Sequence, residues 1–488
     1  MTRKARSVAR AQPRRAPLPE RAERPARSAS PGQREQVAAL LEEMAGGDLP
    51  RARRAALRLG ELKPAGARSA LEAALGSPDP GLRVGAASAL GSLGRPESRT
   101  ALELRVADDD WRVRAQAAYS LATIADPRST ALLCGTLARD PSALVRNACA
   151  LALGRIGDER AIPTLEHALD DESDRVRREA VLALERSHDP EVARKVRRFL
   201  QDPARRVRIA AAVVLGLRRD RESASALIAH FERSDSWERP ALLVALGRIG
   251  TPECGETLAR AANDPMRWVR VCSLYGLSEM GSPLAREVAR GKLTDGSWAV
   301  RGAAALALGR VGGEDDVGPL VAILRDLHPW VRRGAVYALG QIGVASALPE
   351  IRPALDDGDP EVHLAAIWAL GQLRDPVAAP RLIELLNGAR PQASSAQPTL
   401  AAGDGSVRLV SDAGARLFDA LVQATASLSR GAAHPSARAA LLEAKARLDD
   451  AELDRPARLP SPLGSGETPP TLRQVFDSGI DPAAGTSG

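Results

Sequence analysis

Apolar and polar positions along most of the chain alternate with the period of a helix. Residues 145–154 (VRNACALALG), 300–309 (VRGAAALALG) and 331–340 (VRRGAVYALG) share the pattern Val-Arg-x-x-Ala-x-x-Ala-Leu-Gly, with Cys149 in the fifth place of the first. Counted from the Val, positions 0, +4, +7, +8 and +11 are apolar and share one face at 100° per residue, which predicts an amphipathic helix, termed helix B. Upstream lies a shorter apolar stretch such as 161–169 (AIPTLEHAL) or 317–324 (VGPLVAIL), which predicts helix A. The turns between them carry Asp140-Pro141, Asp202-Pro203 and Asp264-Pro265. There Asp is expected to cap helix B and Pro to fill its first turn. Gly157, Gly250, Gly281, Gly312 and Gly343 stand where helix B must stop, and glycine takes the left-handed conformation there without penalty.

The pattern recurs with anchors at Leu82, Val113, Val145, Val176, Val207, Glu238, Val269, Val300, Val331 and Val362, separated by 31, then 32, then 31 residues throughout. With a less regular copy ending at Gly60 there are about eleven two-helix repeats. One pair cannot bury its apolar face alone, whereas stacked pairs can, so the expected fold is all-α. With 3% aromatic residues, the core must be built from Ala, Leu, Val and Ile. The small residues let neighbouring helices approach closely.

A second periodicity is polar. Asp108, Asp140, Asp171, Asp202, Asp264, Asp295 and Asp326 each precede by six residues an Arg, namely Arg114, Arg146, Arg177, Arg208, Arg270, Arg301 and Arg332. The fixed offset predicts a structural ladder in which each Arg is neutralised by the Asp six residues before it through bidentate pairing. The other reading of the same Arg row is an anion-binding stripe.

The full pattern, Asp-Pro-x-x-x-Val-Arg-x-x-Ala-x-x-Ala-Leu-Gly-x-Ile-Gly, resembles the HEAT repeat in the short bacterial form named after phycobilisome lyases. The resemblance implies a right-handed α-solenoid over residues 33–388, with helix A on the convex side and helix B on the concave side. Residues 389–406 read as a flexible linker and 407–453 as a C-terminal helical cap. Residues 1–32 and 454–488 read as disordered tails. Within the last, 471–480 (TLRQVFDSGI) is the one segment with enough apolar character to act as a docking peptide, an incidental apolar stretch being the other and favoured reading.

Charge refines the picture. The net charge of +7 resides at the start of the chain, where residues 1–36 hold ten basic groups against three acids, leaving 58 of each sign beyond. Attraction to an acidic surface or to nucleic acid is therefore expected of residues 1–36 rather than of the repeats. The chain has no apolar run of 18 residues and its Arg-rich start has no apolar core of the secretory kind, so a cytoplasmic location is expected. Cys134, Cys149, Cys254 and Cys272 have no close pairing or His partners at metal-ligand spacing, so no metal and no disulfide framework is expected.

Two enzyme classes built on similar repeats give testable analogies. Helical-repeat deoxyhypusine hydroxylases hold iron with His-Glu steps, but His167, His188, His230, His328, His363 and His434 are all followed by residues other than Glu. Phycobilin lyases are nearer in repeat pattern and would bring a tetrapyrrole groove, the alternative reading to a scaffold. No nucleophile motif or phosphate loop is present, and neither a catalytic residue nor a cofactor site is expected.

Seven of the nine Trp and Tyr residues fall between positions 237 and 368. Tyr275, Tyr337 and Trp368 lie at +6, Trp237, Trp268 and Trp330 at −1, and Trp298 at −2. Positions −1 and +6 are two helical turns apart and share a face. With Arg178, Arg267 and Arg333 nearby to supply cation–π contacts, these aromatics predict a partner-binding strip on the concave side. Packing of the +6 residues against the neighbouring helix B is the other reading. The expected function is a non-enzymatic scaffold for a partner protein. The alternatives are a tetrapyrrole lyase or chaperone, and a nucleic-acid binder acting through the N-terminal tail.

Overall fold

The computed structural model describes residues 31–235, 237–388, 419–428 and 435–446. Residues 1–30 of the expected 1–32 tail, the 389–406 linker, residues 407–418, 429–434 and 447–453 of the expected cap, and everything from 454 on, including 471–480, lie outside them, while residues 31 and 32 open the first helix. Among the described residues the structure is helical throughout, without a strand. It divides into two units, Met1–Ala183 and Leu184–Gly488.

In the first unit the helices are α1 Pro31–Ala45, α2 Leu49–Leu62, α3 Arg68–Ala74, α4 Pro80–Leu93, α5 Arg99–Arg105, α6 Trp111–Ile124, α7 Thr130–Arg139, α8 Ala143–Ile156, α9 Ile162–Ala168 and α10 Asp174–Ala183. In the second they are α11 Glu191–Arg197, α12 Arg205–Leu217, α13 Ala224–Arg233, α14 Arg239–Ile249, α15 Pro252–Ala261, α16 Arg267–Met280, α17 Pro283–Lys292, α18 Trp298–Val311, α19 Val317–Ala322, α20 Pro329–Ile342, α21 Leu348–Ile351, α22 Pro360–Gln372 and α23 Ala379–Gly388. Residues 419–428 form α24 and Pro435–Ala446 form α25. From α2 to α22 the even-numbered helices are B helices and the odd ones the shorter A helices. Each unit is an α-solenoid segment in which successive B helices pack on one another, α2 through α10 in the first and α12 through α22 in the second.

That stacking rests on glycine. A Cβ built on Gly154 would lie 2.8 Å from Cα of Ala183, one on Gly60 2.8 Å from Cα of Ala89, and one on Gly216 2.6 Å from Cα of Ala245. Each glycine is at +9 of one B helix and meets the small residue at +7 of the next, so the two backbones touch. Gly371 meets Ala424 in the same way, at 2.5 Å from its Cα, which puts α24 in the place of a further helix B. The buried stripe is wider than the periodicity suggests. Ala148 and Ala150, or Gly334 and Val336, at +3 and +5, are buried beside the expected positions because a helix B has a like neighbour on each side.

The ladder joins in a register different from the one the six-residue offset predicts. Arg146 donates through Nη1 to the main-chain carbonyl of Asp140, its predicted partner, at 3.0 Å, while its Nε and Nη2 fork onto the carboxylate of Asp171 in the next repeat at 2.8 and 3.0 Å. Arg114 reaches Asp140, Arg301 reaches Asp326 and Arg332 reaches Asp357 in the same manner, while Arg270 reaches Asp295 through Nη2 alone at 2.9 Å. Arg177 likewise donates to the carbonyl of Asp171 at 2.9 Å. The Asp carboxylate also accepts the backbone N–H two residues on, as Asp140 does from Ser142 at 2.8 Å, Asp202 from Ala204 at 2.8 Å and Asp264 from Met266 at 2.8 Å. Asp140, Asp202 and Asp264 are therefore not helix caps. They stand two residues before the cap positions Ser142, Ala204 and Met266, and the prolines beside them precede the helices. A short side chain that holds its own turn and faces a guanidinium from the preceding repeat is committed before the helix begins.

Gly157, Gly250, Gly281 and Gly343 have positive φ as expected, but Gly312 does not, with φ −79°. There the chain leaves α18 extended, and the Asp316 carboxylate gathers it by accepting from Gly313 N–H at 2.9 Å.

Two expected outcomes test this account. Gly154→Val forces α8 away from α10 and costs about 1–3 kcal/mol as overpacking does, lowering the midpoint of thermal unfolding. Gly135→Ala, at a helical site with nothing within 4 Å of the added Cβ, gains about 0.4–1 kcal/mol through the unfolded state. Equal effects at the two sites would refute the close-contact argument. The second concerns acid. The Arg332 guanidinium, against the opposing effect of burial, and the Asp359 N–H hold the Asp357 carboxyl below its ordinary value. At Asp295 and Asp326 burial pushes upward, but the paired Arg and a backbone N–H outweigh it. A carboxyl lowered on folding stabilises fully above its unfolded value of about 3.9, and that contribution is lost as pH falls through the folded value. The urea midpoint should stay level down to about pH 5 and drop below about pH 4; a level midpoint at pH 2 would show that the ladder contributes nothing.

Candidate functional site

The first turns of α16, α18 and α20 belong to successive repeats whose B helices pack one on the next. α16 presents Trp268, Val271 and Tyr275, at spacings of three and four on one face. α18 presents Trp298, Ala303 and Leu306, and α20 closes the far side with Trp330. Together they line a cavity of about 340 Å³. Trp268 and Trp298 remain 51% and 41% exposed, an unusual condition for the largest apolar side chain when it is held in place.

They are held in place. Trp298 stacks on His328 with ring centroids 3.9 Å apart and planes 2° from parallel. His328 is fixed in turn because its Nδ1 accepts the Trp330 N–H at 3.2 Å. Arg267 lies over Trp268, 5.2 Å from the ring centre, and Arg333 over Trp330 at 4.9 Å, so cation–π contacts brace two of the walls. Arg333 is further tied to Glu361 at 3.4 Å. Beneath Trp330 lies Gly302, where a Cβ would fall on the indole ring. The single lining hydroxyl of a serine, Ser278, is spent on the Tyr275 carbonyl at 2.8 Å. The walls thus offer mainly apolar and aromatic surface, with the Tyr275 phenol and the Ser278 hydroxyl as the polar side-chain groups.

The strip predicted from sequence is only partly assembled. Trp268, Tyr275, Trp298 and Trp330 come together, with Arg267 and Arg333 beside them. Tyr337 does not join them; it is buried at 2% exposure and packs at 5.1 Å against the half-buried Trp368 ring. Its +6 position faces the next helix B, and Trp368 also lies against Gly340, so this pair belongs to the core. Trp237 is 77% exposed and stands apart from the cavity, before α14. Arg178 belongs to the first unit and pairs with Glu179 at 2.9 Å. Sequence reasoning missed Gly302, Val271, Leu306 and His328. A usable signal was present for Gly302, a glycine at +2 in the repeat before a Trp at −1. On the same face of α12, α14 and α16, Val213, Ala241, Val244 and Cys272 line a second apolar cavity of about 310 Å³.

The four cysteines are free. Burial pushes the Cys149 thiol far above the usual range and raises that of Cys272, which makes both poor nucleophiles. Among the described residues no group of three or more His, Cys, Asp or Glu is placed to hold a metal, and no helix is long and apolar enough to cross a membrane.

Comparison with known proteins places this geometry. The model of the HEAT repeats family matches residues 37–122, 100–185, 168–247, 255–326 and 317–397. No match was found among curated proteins. Among solved structures, yeast importin-beta (Kap95p) aligns over 91% of this chain and 67% of its own at 14% identity and TM-score 0.52. Kap95p in a complex with RanGDP aligns over 91% of this chain at 15% identity and TM-score 0.49, and there the chain spans 66% of the length of its relative. The CpcE–CpcF complex of phycocyanin lyase from Nostoc is matched over 54% of this chain and all of that one, at 23% identity and TM-score 0.35. At these identities the importin likeness is one of fold.

The seat beneath Trp330 is open to test. Gly302→Ala displaces the indole from the cavity wall, so quenching of Trp fluorescence by acrylamide should increase while helicity holds; unchanged quenching would mean that the seat does not position the ring.

Proposed function

The chain belongs to the HEAT-repeat family, and on that premise we propose that it is a non-enzymatic scaffold that binds a partner protein along the B-helix face of its second unit. The observation that carries this reading is the cavity of Trp268, Trp298 and Trp330, the first two exposed and the third half-buried, braced by Arg267, His328 and Arg333. Rigid aromatic surface binds at low entropic cost and makes the kind of anchor on which protein interfaces depend. The second apolar cavity along α12–α16 extends the footprint beyond one side chain. On this reading the B-helix face is the concave one.

The volume of about 340 Å³ lies near the bottom of the range of about 300–1,000 Å³ for small-molecule pockets. It suits one or two large side chains of a partner better than an extended ligand such as a tetrapyrrole. The basic segment 1–36 would serve as an auxiliary tether to an acidic surface or nucleic acid.

The test is quantitative. A protein captured by the wild-type chain is purified and its affinity measured against wild type and Trp298→Ala, after equal helicity and melting are established. Loss of an interface anchor costs about 2 kcal/mol or more, a roughly thirtyfold weaker Kd. An unchanged Kd for Trp298→Ala and for Trp268→Ala would remove the cavity from the interface.

A further inference from the structure

The A helices of the second unit carry a different kind of cavity. Between α11, with the turn that follows it, and α13, a space of about 410 Å³ is lined by Arg194, Arg197, Arg198, His230 and Arg233 along with short apolar side chains and Gln201. No acidic residue lines it. The corresponding space in a later repeat, beside α19 and α21, is about 470 Å³ and is lined by Arg325, Glu350 and Asp357. A gap between A helices is thus a general product of the stacking. Of these two spaces, the first concentrates positive charge and the second does not.

That concentration comes from a swap in the ladder. In each repeat anchored from Val113 to Val362 the residue at −5 is the turn Asp, except that anchored at Glu238, where it is Arg233. The missing carboxylate is supplied from position 0, where other repeats have Val. Glu238, 2% exposed, accepts the Arg208 guanidinium and stands 2.7 Å from His230 Nε2. The ladder is preserved from a new position, and −5 is released to hold a cation at the cavity. Arg233 donates through Nε to the Ala229 carbonyl at 3.0 Å and has no carboxylate partner among the described residues. Arg197 is fixed as a wall by Asp220 and Ser223, both at 2.9 Å. Arg194 holds only Glu191, at 2.6 Å, in a pair whose side chains are 69% and 54% exposed, and such pairs yield readily to a competing anion. The run 194–208 carries seven basic residues against the single acid Asp202, while residues 37–488 as a whole hold 58 of each sign.

We infer that this cavity is a binding site for a compact, multiply charged phosphate anion. Several guanidinium forks around one space match the bidentate oxygens and the charge of such a group. No Phe, Tyr or Trp side chain lines the cavity to stack a base, and its one ring, His230, is held by Glu238 at 2.7 Å, so the ligand is a small polyphosphate-like anion rather than a nucleotide. The site is separate from the aromatic cavity, and neither reading depends on the other.

Titration of the full chain with pyrophosphate at physiological ionic strength tests the inference, read by calorimetry. Saturable binding is expected, weakened at least about tenfold by Arg233→Ala and by Arg198→Ala, and unchanged by Arg325→Ala at the corresponding cavity. Arg233→Asp, which places at −5 the residue found there in the other repeats, should abolish binding while the thermal unfolding curve shows the array still folded. The N-terminal basic segment is present in every variant, so its contribution cancels in these ratios. Absence of saturable binding, or equal affinity in wild type and both single Ala variants, overturns the inference. So does a loss in Arg325→Ala as large as that in Arg233→Ala.

Discussion

Contact between the backbones of successive B helices is the constraint on which the rest of this structure depends. At Gly60, Gly154, Gly216 and Gly371 the next helix approaches so closely that no side chain fits between. Two consequences follow from such short spacing. Dispersion between closely packed backbones and alanines replaces the large aromatic contacts that the chain lacks. Turn residues of neighbouring repeats also come within reach of one another, so a guanidinium in one repeat can fork onto a carboxylate in the next. A bulkier seam would open the stack and separate those charges.

The same spacing explains how apolar side chains remain uncovered. A Trp at the start of α16 or α18 stays exposed where the first turns of successive B helices meet. It lies along the surface and is held by what surrounds it, as His328 holds Trp298. Where the repeat below offers a glycine, as at Gly302, a ring sinks one layer deeper and becomes a wall. Surface rigidity and core economy are thus products of one packing rule.

Much of this was legible in the sequence because the repeat writes the same physics many times. Helix type, the A/B alternation, the glycine stops and the placement of Trp268 and Trp330 on one face follow from spacing alone. Pairing did not follow, since an offset of six within a repeat is indistinguishable in sequence from a contact to the turn of the next; distances between repeats decide it. Tyr337 and Tyr275 share the +6 position, yet one is buried and the other lines the cavity. The difference lies in the neighbour, for Trp368 covers the first and the shorter Leu306 stands beside the second. The substitution of Arg233 for the turn Asp was visible as a gap in the Asp periodicity, but its compensation by Glu238 required the fold to place position 0 where −5 would reach.

The register of the ladder also gives the stack a direction. Arg114, Arg146, Arg270, Arg301 and Arg332 each grip the turn of their own repeat through a main-chain carbonyl and extend a cation forward to the carboxylate of the next. An array cut between two repeats is left with a bare guanidinium on one new end and a bare carboxylate on the other. Those ends are complementary to each other and unlike themselves, so fragments would join head to tail and not head to head. A chain built in this way can be lengthened by whole repeats without redesign of either junction, which is the property that duplication of a segment requires.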